Sequence, residues 1–529
     1  MGPNTTSVVR GTKVAGRPGV KRAATIWFWL WGICVLPAAN ERINQEGRLL
    51  GPLPAVTNAI LFNTSNADAV VSAMQIFPVT NPWNECISNR PVLVNSDAMM
   101  MNIYTNVGSS HRYLELFQEM NYVLVPDSQT LVSNKFVTYA GDSDLNGGVY
   151  PYGLYPTPTN QPIEGWPTQT GGQTLPQWQT NSGGDRHSIV VQPGKGLIYE
   201  TWEARRVGTN WQAANGAMFN LNTNGLRQDD LTSGDAAGFP MFAALVRFDE
   251  CERGMVEHAC RLVVVVSRQE HIYPATHDAG SVSASQTNSP AMGQRLRLKA
   301  NFAIPASWTK EERALALGLK KYGAMVSDNS SSFFSISITP DDRWGSAFNH
   351  INNGALSITN FEVIQSTGTN EGPRSPGAPI ANAGPDQSVP FGQAAQLPGT
   401  VVFSNSTPLI QWKTNSGPGS VTFGNASQTN TTATFSAPGV YTLELSAADG
   451  VHAVAYDAVV VTVSNTINVS ITGTGTNVNL SWTGGSAPFV VEAAGASPAG
   501  PWSGVMTTAV QNASVPMTNQ TQFFRVRTQ

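Results

Sequence analysis

Charge is what this 529-residue chain has least of: Lys and Arg number 31, Asp and Glu 35, and together they make up 12% of the residues. That is about half the share of an average soluble protein. The net charge of −4 leaves no basic surplus to draw the folded part to nucleic acid. Cysteine is nearly as rare, at 4, which excludes a disulfide framework in a chain of this size. Apolar runs of about 18 or more residues are missing outside the N-terminus, which excludes a polytopic membrane protein. No P-loop, dinucleotide fingerprint or GxSxG occurs, and no CxxC, HxH or HExxH spacing, so the nucleotide, esterase and short-spaced zinc readings lose their support. What is plentiful is 49 Gly and 34 Pro among Asn, Thr, Ser and Gln, the make-up of an all-β extracellular protein of several domains.

Arg10, Lys13, Arg17, Lys21 and Arg22 precede the apolar stretch AATIWFWLWGICVLPAA at 23–39, the pattern of a secretory signal over residues 1–39. Left uncut, the same stretch is an N-terminal anchor and the one membrane contact the sequence offers. Residues 40–69 read as polar and irregular. The main domain is expected over 70–366, closing on ALSITNFEVI before a Pro/Gly/Ser/Thr-rich linker at 367–377. From 378 the chain turns to short β-prone runs at the spacing of small sandwiches.

Three resemblances follow from particular strings. ANAGPDQSVPFGQAAQL, FSAPGVYTLELSAADG and AYDAVVVTV, with Trp412 in LIQWKT, resemble the PKD-type immunoglobulin-like modules of secreted bacterial proteins, over 378–464. The resemblance implies a buried Trp412, a late strand through Gly439, Tyr441 and Leu443, and a role as spacer or weak glycan binder. LSWTGG, FVVEAA and FFRV within 465–529 resemble a terminal fibronectin-type sandwich. IFPVTNPWN, GGDRHSIVV, SGDAAGFPMF, LKKYGAMVSDN and DDRW resemble a domain recurring in secreted bacterial proteins, over 75–365, which brings no activity with it.

The fold class is therefore mainly β: a β-sandwich or jelly roll with one docked helix, then two small sandwiches, Ig-like and FnIII-like. Strands are expected at 188–193, 197–204, 241–248, 261–267 and 294–304, in an antiparallel arrangement, with RLVVVVS central because it is apolar on both faces. The helix begins at the capping box of Thr309 and Glu312 and ends at Lys320, Lys321 and Gly323. Glu252-Arg253-Gly254 reads as a hairpin connection that sets Cys251 opposite Cys260, as a disulfide or as two unpaired thiols.

The candidate chemistry lies where the NSGG loop enters the strand at 188. Asp185 and His187 share a face there, Glu200 sits between Ile198 and Trp202 on the next strand, and a hairpin through 193–196 brings His187 near Glu203. Glu200, Asp185, His187 and Glu203 form a candidate acid-base group for glycoside cleavage. The competing reading is a loop-tying cluster with Glu200 paired to an Arg such as Arg261. A second group is Asp235, His258, Arg261 and His277, with Glu250 beside His258; no metal site is assigned. Trp166, Trp178, Trp202, Trp211 and Tyr152 are candidate sugar-stacking rings on long loops. DSDLNGG at 142–148 reads as a turn that lacks the terminal Glu of a calcium loop, leaving calcium as the one cofactor in view. The expected partner is a polysaccharide or cell-surface glycan. The leading reading is hydrolysis of that glycan by a carboxylate and His acid-base pair; the alternatives are non-catalytic binding or adhesion, and a structural protein that assembles with itself.

Overall fold

The computed structural model describes residues 7–12, 42–365, 379–403, 407–450, 452, 454–474, 476–495, 497–518 and 521–529. Most of the expected signal and the whole linker at 367–377 lie outside the described residues. Within the stretch expected to be a signal, Ser7–Thr12 forms a strand antiparallel to Thr521–Thr528.

The protein is mainly β, as expected, but its main domain is a mixed rather than an antiparallel structure. A five-stranded sheet runs in the order Asn215–Asn220, Leu197–Trp202, Ser188–Gln192, Val123–Leu124 and Ile60–Leu61, and the pairing of Val123–Leu124 with Ser188–Gln192 is parallel. A six-stranded sheet runs Phe361–Val363, Arg295–Leu298, Ala324–Asn329, Cys260–Val264, Ser335–Ile338 and Glu115–Gln118, with two parallel pairings. Cys260–Val264 is flanked on both sides, the central place its apolar sequence calls for. The five-stranded sheet is buried twice. Ile189, Val191 and Ile198 enter the large core shared with the six-stranded sheet, while Val190 and Tyr199 pack with Phe136, Tyr155 and Ala213 of a third, four-stranded sheet. Glu200 is on the large-core side, two residues from Ile198.

Five helices, not one, accompany these sheets: Ser65–Ser72, Ser96–Asn106, Leu175–Thr180, Phe248–Arg253 and Lys310–Lys321. Lys310–Lys321 has the expected capping box, Thr309 Oγ1 accepting from the Glu312 amide (3.1 Å) and Glu312 Oε2 from the Thr309 amide (3.0 Å). Its chain leaves through Gly323, at φ +67°, where a Cβ would lie 2.1 Å from the Leu296 carbonyl.

Four expectations are corrected. The run 241–248 is buried but not a strand: it makes a 3-10 turn at Phe242–Ala244 and then enters the helix Phe248–Arg253. Acids in that helix's first turn, an Arg in its last and Gly254 at φ +98° are helix signals, so Glu252-Arg253-Gly254 is a helix end and no hairpin. Cys86, Cys251 and Cys260 are free thiols accordingly. The boundary at 70 cuts through Ser65–Ser72, whose N-cap is Thr64, and Ile60–Leu61 is a strand of the five-stranded sheet. Residues 42–50 are a hairpin rather than irregular: Arg48 pairs with Glu257, Lys321 with Glu46, and Asn415 of the next module donates to the Gly47 carbonyl (3.4 Å).

The described residues of 379–464 fold as a four-stranded and a three-stranded sheet, with a two-stranded pairing of Ile380–Asn382 and Thr400–Val402, around Trp412, which is 1% exposed. The last module packs Trp482, Phe489 and Phe524 between two further sheets.

Candidate functional site

Members of both candidate groups, Glu200 and His187 of the first and Asp235, Arg261 and His277 of the second, meet at one loop, Ser233 to Phe242, at the seam between the five- and six-stranded sheets. Gly238, at φ +78°, lets this loop approach Thr276 so closely that a Cβ would sit 2.1 Å from its Oγ1. Glu200 reaches it from the strand Leu197–Trp202, its two oxygens accepting the amides of Met241 (2.9 Å) and Phe242 (2.8 Å) at the start of the 3-10 turn. His187 reaches it at the Gly234 carbonyl (2.8 Å from Nε2), and His277 Nδ1 lies 2.8 Å from the Ala236 carbonyl. Arg261, on the central strand, pairs with Asp235 of the loop, with Asp328 (2.9 Å) and with the Ser337 hydroxyl (3.3 Å).

Three members of the network carried no signal in the sequence. Glu164 accepts both the amide (2.9 Å) and Nδ1 (2.8 Å) of His187, Ser337 Oγ donates to Glu119 (2.9 Å), and Asp328 holds Arg261 from the neighbouring strand. The alternation of hydrophobic and polar residues could not reveal them, because 218 residues separate Glu119 from Ser337.

Burial sets the electrostatics. It pushes Glu200 up to about 7 although two amides favour its charged form, and pushes Glu119 up to about 7 with help from Glu164. Asp235 is also raised by burial, against the pull of Arg261. His187 is buried, which favours its neutral form, yet the Glu164 carboxylate overrides this and lifts it to about 9. The geometry agrees, because a carbonyl and a carboxylate only accept, so both ring nitrogens of His187 carry protons. It has no lone pair for use as a general base. Glu200 likewise has both oxygens engaged by main chain and is 0% exposed. Its partner is the backbone; Arg261 pairs with Asp235 instead.

The other expected site residues are dispersed. His258 lies apart, against Glu250 (3.1 Å) and the Ala259 carbonyl (2.8 Å), so those neighbours meet through a helix and a loop rather than a hairpin. Asp185 and Glu203 are exposed at the surface, the Glu203 amide donating to the Asp185 carbonyl (2.8 Å), and Glu203 points away from His187, which is buried. In the turn at 142–148, Asp144 is bound by Arg227 and by the Met218 amide (2.8 Å), so its carboxylate already has a cation.

The aromatic residues divide in the same way. Trp211 is 4% exposed and packs against Ile163 and Ala204, Trp166 stands edge-on to Phe62 at 6.2 Å, and Trp178 donates to the Glu164 carbonyl (3.0 Å) beneath Arg186. These three are packing residues. Trp202 differs: it is half-buried, its Nε1 donates to Asp185 (3.4 Å), and its ring lies 6.0 Å from the exposed Tyr139 at an interplanar angle of 32°. Tyr152 opposes Lys135 on the neighbouring strand, so it shares the outward face that continues through Lys135 and Val137 toward Tyr139. Arg186 and Glu203, both at positive φ (49° and 54°), flank Trp202 and Asp185.

Comparison with known proteins bears on the second part of the chain. Residues 383–463 match the family described as K319L-like, PKD domain. No curated protein matches the chain. Among solved structures, the chain is similar to the solution structure of the PKD domain from KIAA 1837 protein, at 22% identity, covering 19% of this chain and 94% of that one with a TM-score of 0.14. It is similar as well to the D00-D0 domain of Intimin, at 12% identity, covering 29% of this chain and 93% of that one with a TM-score of 0.16. Residues 383–463 are a PKD domain.

Proposed function

We propose that this is a non-catalytic extracellular protein that binds a neutral glycan on the outer face of the main domain. The observation that carries the reading is the surface pair of exposed Tyr139 and half-buried Trp202, tilted by 32° with ring centroids 6.0 Å apart, with Asp185 hydrogen-bonded at its edge. Ring faces of this kind stack on the C–H faces of sugars, and a carboxylate beside them accepts hydroxyl hydrogen bonds. Asp185 and Glu203 together repel a polyanion, which favours neutral chains. Left-handed backbone at Arg186 and Glu203 costs about 1–2 kcal/mol per residue, and such strain persists where a site demands it. Hydrolysis has less support: the carboxyls that burial favours as protonated acids are the enclosed Glu200 and Asp235 and the half-buried Glu119, and all three are hydrogen-bonded internally. A PKD domain is typical of extracellular proteins and suits a spacer behind such a face.

The experiment is electrophoresis of the full chain through gels containing neutral plant, algal and microbial polysaccharides. Retardation by at least one gel is expected for the wild type, with Trp202→Ala and Tyr139→Ala running freely at unchanged melting temperature. Equal retardation of all three proteins would remove the ring pair from the account.

A further inference from the structure

The seam that holds loop 233–242 contains five carboxyl groups, Glu119, Glu164, Glu200, Asp235 and Asp328, facing three cations, Arg186, His187 and Arg261. Each reaches it from a different place. Glu119 follows the edge strand Glu115–Gln118, Glu164 and His187 precede the strand Ser188–Gln192, and Asp328 and Arg261 come from adjacent strands of the six-stranded sheet. The loop also builds one wall of a small, shallow pocket, where Phe239 meets Trp83 edge-on at 5.0 Å beside Phe77 and Phe219.

We propose that this seam is a pH-responsive lock, closed in mildly acidic surroundings and loosened above neutrality, which governs the mobility of loop 233–242 and the exposure of the aromatic wall behind it. The reasoning is charge balance in a confined space. With Glu119 and Glu200 protonated, three carboxylates face three cations. Once both ionise, five do, and the like charges of Glu119 against Glu164 and of Glu200 against Asp235 are no longer offset. The groups facing Glu119 are Glu164, Ser337, Arg261 and His187; those facing Glu200 are the Met241 and Phe242 amides, Asp235 and His187. The sign is fixed by linkage. A carboxyl raised in the folded state and a histidine raised by a carboxylate both bind more protons folded than unfolded, so the stability they confer falls as pH rises: from about 4.5 to 7 for the carboxyls and from about 6.5 to 9 for His187.

Amide hydrogen exchange of the full chain, corrected for intrinsic rates, tests this at pH 5.5 and 8.5. Protection of amides 233–242 is expected to fall by about tenfold or more at pH 8.5, while amides of the PKD domain change little. Glu119→Gln keeps an acceptor for Ser337 but cannot ionise, and is expected to recover at least about a third of the lost protection on a logarithmic scale. If Glu119→Gln misfolds, the wild-type comparison decides alone. Protection in 233–242 that is constant or rises with pH would overturn the proposal, as would a Glu119→Gln protein with the full wild-type loss.

Discussion

Replacing Arg261 by Met is the most demanding perturbation the main domain offers, because the structure fixes what the change leaves behind. The guanidinium is 5% exposed and serves Asp235, Asp328 and Ser337, and the Asp235 side chain is 0% exposed. Methionine fills much of the space but neutralises nothing. Breaking a buried pair from one side costs about 3–5 kcal/mol, because the remaining charge must stay unpaired or take up a proton. At about 2–4 °C per kcal/mol for a domain of this order of size, the melting temperature falls by roughly 6–20 °C at pH 8. The loss shrinks toward pH 5, since Asp235, already raised by burial, is then held protonated. Adding Asp235→Asn removes the orphaned charge and restores at least about half of the loss, so the pair shows strong coupling in a double-mutant cycle. Differential scanning calorimetry of the four proteins at both pH values is the assay. A single variant within about 2 °C of wild type at pH 8, or a double variant no better than the single, would refute the reasoning.

Two further outcomes follow from the same coordinates. A fragment spanning 42–365 retains native-like melting of the main domain, whereas one spanning 70–366 aggregates or melts at least about 10 °C lower, since it loses the Thr64 cap, the buried Phe62 and Ala67 and the edge strand Ile60–Leu61; circular dichroism melts compare them. Alkylation of native protein followed by peptide mass analysis labels Cys86 fast, while Cys251 and Cys260, buried and held protonated by burial, react only on unfolding; labelling of all three at one rate would contradict the packing described.

What could be read from the residues was what is locally encoded. The helix Lys310–Lys321 carries its own start and stop, so Thr309, Glu312 and Gly323 disclosed it, and two-residue alternation placed Trp412 in the core of its sandwich. Phe248–Arg253 was hidden by the apolar run before it, whose period is neither 2 nor 3.6 because both the 3-10 turn and the helix are enclosed by the core. The parallel pairings depend on crossovers, which leave no short-range mark. The site divides in the same manner. Glu200 drew attention as a charge within an apolar strand, His187 and Arg261 as charges where strands begin and Asp235 as one beyond a turn, and they do meet at one loop. Their bonding partners, the amides of Met241 and Phe242, the Gly234 carbonyl, Glu164 and Glu119, are supplied by the tertiary fold. Charge on an apolar strand marks a constrained position, and only the partners show whether the constraint is catalytic or architectural.

The account's central claim is that the main domain holds glycans without cleaving them. The most direct measurement is prolonged incubation of the full chain with the polysaccharide that retards it most, scoring bound protein by co-sedimentation and released ends by mass spectrometry of the supernatant. The account predicts saturable binding that Trp202→Ala abolishes, with no products above the protein-free control. Release of oligosaccharides by wild-type protein, lost in Glu200→Gln while binding persists, would contradict it and return the buried carboxylate to a catalytic role.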